Sequence, residues 1–110
     1  MLFFVRSELK GMLPLPPDQI LDLAIKEWET FIGFEKQGKV LAGGAIAARK
    51  GGCGVFSVVS IEELIELLSQ LPMFPYAEWD IMPLIGSEFA LDEAKKAMAI
   101  LQASMETKAE

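Results

Sequence analysis

The stretch KVLAGGAIAARKGGCGVFSVVSIEEL, residues 39–64, decides the architecture. Val40–Arg49 and Cys53–Val59 each suit an extended backbone, and Lys50-Gly51-Gly52 between them offers glycines for the positive φ values of a tight hairpin. Two consecutive antiparallel strands are therefore expected. Gly43-Gly44 inside the first marks a bulge, a sharp curve or an unusually close backbone contact. A phosphate cradle is disfavoured, because neither a Walker GK[ST] nor a GxGxxG pattern occurs. Ser60-Ile-Glu-Glu63 reads as a capping box, in which Ser60 accepts the amide three residues on and Glu63 reaches back to the cap. Ile61, Leu64, Leu67, Leu68 and Leu71 then repeat at helical spacing until Pro72 stops the helix.

Upstream, Leu2–Arg6, followed less clearly by Glu8, reads as a strand covered on both sides. GMLPLPP, residues 11–17, breaks any period and delivers the chain to Pro17 and Asp18, a favourable helix start. Leu21, Ala24, Trp28, Phe31 and, less clearly, Glu35 recur at helical spacing, and the helix ends near Gly38. Downstream, Tyr76–Leu84 reads as a fourth strand. After Gly86-Ser87, the residues Ala94, Ala97, Met98, Leu101 and Met105 mark a third helix whose apolar face needs a partner.

The order is β-α-β-β-α-β plus a terminal helix, an α+β chain of ferredoxin-like arrangement. Residues 1–110 read as one domain, with 85–110 as a helical extension. Such a layout leaves one sheet face without helices of its own. Because the strands are apolar on both sides, a second subunit is expected to cover that face, giving a homodimer or a higher homo-oligomer.

Composition narrows the chemistry. Ten basic against sixteen acidic residues give a net charge of −6, with the basic side chains dispersed, so nucleic acid is not an expected partner. The lone Cys53 cannot form an internal disulfide, and without histidine there is no material for Ser-His-Asp triads, Cys-His pairs or zinc clusters. No cofactor and no metal are expected. MLFFVRSELK lacks the features of a signal peptide, and no apolar run suggests a membrane span, so a cytoplasmic setting is expected.

Glu78 and Asp80, two apart in the fourth strand, project from one face together with Met82, about 6.5 to 7 Å apart at Cα. Facing a partly dry cleft, such a pair has one carboxyl protonated and the other ionised, and it can move a proton between carbons without a cofactor. Facing water, the same residues protect an edge strand. Arg6 suits a substrate carboxylate or an ion pair with Glu78 or Asp80. Tyr76 can donate a hydrogen bond at the start of the strand, or seal a loop with Phe74. Arg49 and Lys50 read as exposed turn residues or as an electropositive rim. Trp28 and Trp79 suit packing, and Cys53 a structural thiol. Glu27, between Ala24 and Phe31, either snorkels or turns inward toward the sheet.

Three segments carry a resemblance. MLFFV at 1–5, GVFSVVSIEEL at 54–64 and LPMFPYAEWDI at 71–81 resemble the opening strand, the strand and helix cap, and the final strand approach of the muconolactone delta-isomerase family. The resemblance spans roughly residues 1–84 and implies a ferredoxin-like subunit, a closely associated dimeric α/β barrel and a ring-like assembly. It further implies cofactor-free acid/base isomerisation of an unsaturated lactone bearing a carboxylate, in the degradation of aromatic compounds. Glu78, Asp80 and Tyr76 match positions of the family's pattern. The chain departs from it at Phe4, where the family often has histidine, and at Leu41, Ala42, Gly44, Ala45 and Ala48, where the family offers basic, histidine and aromatic side chains. An isomerase acting on a small-molecule substrate is thus expected, with Glu78 and Asp80 catalytic and Arg6 and Tyr76 binding. The alternatives are a noncatalytic binder of apolar small molecules or oligomeric structural protein, and an oxygen-dependent, cofactor-free oxidation.

Overall fold

The structure, a computed structural model, describes residues 1–109. Its elements run β1 (Leu2–Leu9), α1 (Pro17–Lys36), β2 (Val40–Ala45), β3 (Gly51–Ser57), α2 (Ile61–Ser69), β4 (Ala77–Leu84) and α3 (Ser87–Ala109), with a 3-10 turn at Phe74–Tyr76 before β4. The four strands form one antiparallel sheet in the order β2-β3-β1-β4, the ferredoxin-like topology. Consecutive β2 and β3 pair directly. β1 and β4, far apart in sequence, pair in register from Leu2 opposite Leu84 to Leu9 opposite Ala77.

Local chemistry accounts for the helix ends. Pro17 opens α1 where its missing N–H costs no helical bond, and Asp18 sits in the positive first turn. At the other end Gly38 takes φ +75°, the Gly38 N–H donates to Glu35 O, and the Lys39 N–H donates to Phe34 O at 2.9 Å. This is a Schellman stop, which a glycine adopts without a Cβ penalty. At α2 the Ser60 hydroxyl accepts the Glu63 N–H at 3.1 Å. The reciprocal half of the expected box gives way to a longer-range contact, because the Glu63 carboxylate accepts from Lys39 Nζ at 3.2 Å.

One sheet face carries α1 and α2. Phe3 and Val5 of β1, Phe56 of β3, Phe31 and Phe34 of α1, and Leu64, Leu67 and Leu68 of α2 make the buried core. Phe56 meets Phe31 and Phe34 edge-on at ring-centroid distances of 6.3 and 6.4 Å. Leu21 and Glu35, expected on the buried side of α1, are exposed, and Phe34 rather than Glu35 continues the buried stripe after Phe31. The opposite sheet face holds Leu2, Phe4, Val55, Met82 and Leu84 toward one end, and Arg6, Asp80, Glu8 and Glu78 toward the other.

The hairpin differs from its sequence reading. β2 stops at Ala45 rather than Arg49, and the turn is made by residues 46–50, with Ala48 at φ 62°. Gly51 and Gly52 belong to β3, which ends at Ser57 rather than Val59. Their role is close approach. A Cβ on Gly51 would strike the Ser7 carbonyl oxygen of β1, and one on Gly52 would lie 3.0 Å from the Trp28 ring. The irregularity in β2 falls between Val40 and Ala42, while Gly43 is the close contact, against Cys53 O and the Phe31 ring.

Candidate active site

Between α1 and the sheet lies a cavity of about 290 Å³, the size of a small cyclic molecule rather than a nucleotide. Ile20, Ala24, Trp28 and Phe31 of α1 form one wall, and Val5, Leu9, Ala77 and Trp79 of the sheet form the other. Leu71 and Met73, in the segment after α2, also line it. Arg49 and Lys50, exposed residues of the hairpin turn, and Gly51 of β3 belong to the lining as well. The helical spacing that buries Phe31 and Phe34 also aims Ala24, Glu27 and Trp28 toward the sheet, so the cavity is a continuation of the core.

Glu27 is the carboxylate among the lining residues. Its Oε1 accepts the backbone N–H of Met73 at 3.0 Å, a contact that ties α1 to the segment preceding β4. Burial raises the Glu27 carboxyl above its ordinary range, and the hydrogen bond from Met73 offsets part of that rise. One oxygen is therefore anchored while the group as a whole is biased toward holding a proton. That combination suits a carboxyl that must both take and return one. The aromatic wall is equally fixed: Trp28 meets Phe31 edge-on at 5.5 Å, and Trp79 Nε1 donates to Phe74 O at 3.1 Å.

Glu78 and Asp80 do share a face, as their spacing demands, but it is the open face of the sheet, away from the cavity. Asp80 Oδ2 accepts from Arg6 Nη2 at 2.7 Å, with both side chains more than half exposed. Glu78 lies opposite Glu8 across β1, and Glu8 stands 3.6 Å from Arg49. The guanidinium of Arg6 is held above its ordinary value by the hydrogen bond and the charge of Asp80. Tyr76 ends the 3-10 turn, where its N–H donates to Met73 O and its carbonyl accepts from Lys10. Of the residues that sequence reasoning singled out, the cavity gathers Glu27, Trp28, Trp79, Arg49, Lys50 and Cys53, whereas Glu78, Asp80, Arg6 and Tyr76 lie outside its lining. The Ala/Gly-rich β2 contributes only Ala45 to that lining.

The family model for muconolactone delta-isomerase matches residues 1–87. The chain belongs to the muconolactone delta-isomerase family. Among its relatives, the muconolactone delta-isomerase of Acinetobacter baylyi is 31% identical over 84 residues, covering 76% of this chain and 88% of that protein. Its counterpart in Pseudomonas aeruginosa is 30% identical over 81 residues, covering 74% and 84%. A crystal structure of muconolactone isomerase superposes with a TM-score of 0.71 at 30% identity, over 78% of this chain and 90% of that one. The fold alone is shared with 5-chloro-2-hydroxyhydroquinone dehydrochlorinase from Burkholderia phenoliruptrix, solved with 2,5-dihydroxybenzoquinone, at a TM-score of 0.62 and 12% identity over 81% of this chain and 98% of that one. The family match takes in the whole sheet, α1, α2 and the cavity, and stops where α3 begins. Among the described residues, no cluster of Cys, Asp or Glu is arranged to hold a metal ion, and no helix is long and apolar enough to cross a membrane.

Proposed function

We propose that the chain is a cofactor-independent isomerase that shifts a proton within a small unsaturated lactone bearing a carboxylate, and that the reaction takes place in the cavity between α1 and the sheet. The observation that carries this reading is Glu27, half-buried in an apolar chamber with its carboxyl biased toward the protonated form. In the ionised state Glu27 takes a proton from a ring carbon whose electron pair delocalises through the double bond onto the lactone carbonyl. The same carboxyl then returns the proton at another carbon, so that one C–H bond breaks, another forms, and the double bond moves with no net change in composition. Apolar walls favour the neutral lactone ring. Arg49 and Lys50 stand where a substrate carboxylate would remain at the rim, and their charge draws it there. Family membership supports the same reaction class.

The apolar end of the open sheet face, with Leu2, Phe4, Val55, Met82 and Leu84, supports a dimeric α/β barrel in which a second copy covers it. A second reading of the chemistry follows from that pairing. Glu78 and Asp80 act as the acid/base pair, with Arg6 and Tyr76 as binding residues, inside a chamber closed by the second copy. It is favoured by the direct Arg6–Asp80 contact, a basic and an acidic group already within reach of one ligand.

One set of variants separates these readings from noncatalytic binding. With an unsaturated lactone acid as substrate, Glu27→Gln should abolish most turnover, while Glu78→Gln and Asp80→Asn leave it intact. The converse pattern moves the chemistry to the open face. Saturable binding by the unmodified protein without product formation would leave only the binder.

A further inference from the structure

α3 lies beyond the part of the chain that the family match covers, and it has no use in the cavity. Every residue from Ser87 to Thr107 is exposed, and the molecule is 74 Å along its longest axis against 29 and 23 Å across. A helix standing in water draws little stability from propensity alone, and its apolar side chains ordinarily pack against something. Leu91, Ala94, Met98, Leu101 and Met105 repeat at alternating intervals of three and four residues, the heptad seam of a helix that pairs with another helix. The large members of this seam are between 53% and 60% exposed. The Glu93–Lys96 ion pair, at 3.3 Å, sits on the surface away from it.

We propose that α3 pairs antiparallel with α3 of a second copy of this chain. A two-fold axis beside the midpoint between Met98 and Leu101 sets Met98 against the partner's Leu101, and Ala94 against the partner's Met105. The four seam positions from Ala94 to Met105 thus map onto one another, and Leu91 falls outside the paired stretch. The same register brings Lys95 beside the partner's Gln102, whereas a slip of one heptad would set Lys95 against the partner's Lys95. Parallel pairing is disfavoured by charge, because it would set side by side the acidic N-terminal portions of both helices, each carrying Glu88 in its first turn and Asp92 and Glu93 in its second. At roughly 60–100 Å² for a fully buried Leu or Met, such a seam covers a few hundred Å² per helix. That is below the roughly 800 Å² per partner of a free-standing complex. The pairing therefore depends on concentration, and it strengthens wherever the copies are already joined by another surface.

Sedimentation velocity of the full chain across a concentration series tests this with two substitutions that add the same charge. Leu101→Glu falls in the seam, and Ile100→Glu falls on the exposed flank, where Ile100 is 71% exposed. Leu101→Glu should shift self-association to at least about tenfold higher concentration, since a charge would be buried unpaired, while Ile100→Glu leaves it in place. Identical behaviour of the unmodified chain and both variants, or disruption by Ile100→Glu alone, overturns the proposal. Direction is read by oxidation in a Cys53→Ser background. An interchain disulfide in Met98→Cys/Leu101→Cys that neither single variant forms supports the antiparallel register. Cross-linking by Met98→Cys alone overturns it.

Discussion

Replacing Glu27 with glutamine removes the charge and the proton-carrying capacity of the cavity while keeping an oxygen that can accept the Met73 N–H. Loss of a general base lowers kcat by about 10²–10⁴-fold, equivalent to roughly 2.7–5.5 kcal/mol in the barrier. KM should change little, because the substrate carboxylate is held at the rim by Arg49 and Lys50. Stability should move the other way or hardly at all. A charge-assisted hydrogen bond becomes a neutral one, at a loss of about 1 kcal/mol, but the cost of carrying an ionised group in an apolar chamber disappears with it. The sign of the pH dependence follows from the raised carboxyl. The folded chain holds the Glu27 proton to higher pH than the unfolded chain does, so folding takes up a proton between the two values. Below the ordinary carboxylate range the group is neutral in both states. As pH rises through that range and past the raised folded value, the unmodified chain loses stability that Glu27→Gln retains. Paired urea titrations from pH 4 to pH 8 should therefore show the variant gaining on the unmodified chain as pH increases, alongside the loss in kcat measured by ultraviolet absorbance of the shifted double bond. Unaltered kcat, or a stability difference independent of pH, would refute the placement of Glu27 as a desolvated proton carrier.

Arg49→Ala should raise KM for a carboxylate-bearing lactone about five- to tenfold, with kcat nearly unchanged and the effect shrinking at high salt, as initial rates at two ionic strengths would reveal. Gly51→Ala places a methyl group against the Ser7 carbonyl, a backbone atom that cannot turn aside, so chemical denaturation should register a loss of about 1–3 kcal/mol. Gly44→Ala, with open space around its Cβ position, should be neutral or slightly stabilising by the same measurement. Ser60→Ala removes the acceptor for the Glu63 N–H and should cost about 1 kcal/mol, with a lower thermal midpoint in circular dichroism.

The sequence alone carries the element order, because each signal is local. Pro17 and Asp18 start α1, Gly38 ends it, Ser60 caps α2 and Pro72 follows its end, all through backbone geometry within a few residues. The hairpin was legible as a hairpin but not in its details. Both a turn and a close approach favour glycine, and only the tertiary structure reveals that Gly51 makes room for the Ser7 carbonyl of β1 and Gly52 for the Trp28 ring of α1.

The site was less legible for a related reason. A period of two shows that Glu78 and Asp80 share one face of β4, and a helical period shows that Glu27 lies near Ala24 and Phe31. Neither period states which face of the sheet the helices will cover, since large apolar residues stand on both, Phe3, Val5, Trp79 and Ile81 on one and Leu2, Phe4, Met82 and Leu84 on the other. That choice is made when Phe3, Val5 and Phe56 close on Phe31, Phe34 and the leucines of α2. Once made, it turns Glu27 toward the cavity and sends Glu78 and Asp80 to the opposite surface, because burial is a property of the assembled layers and not of any one strand.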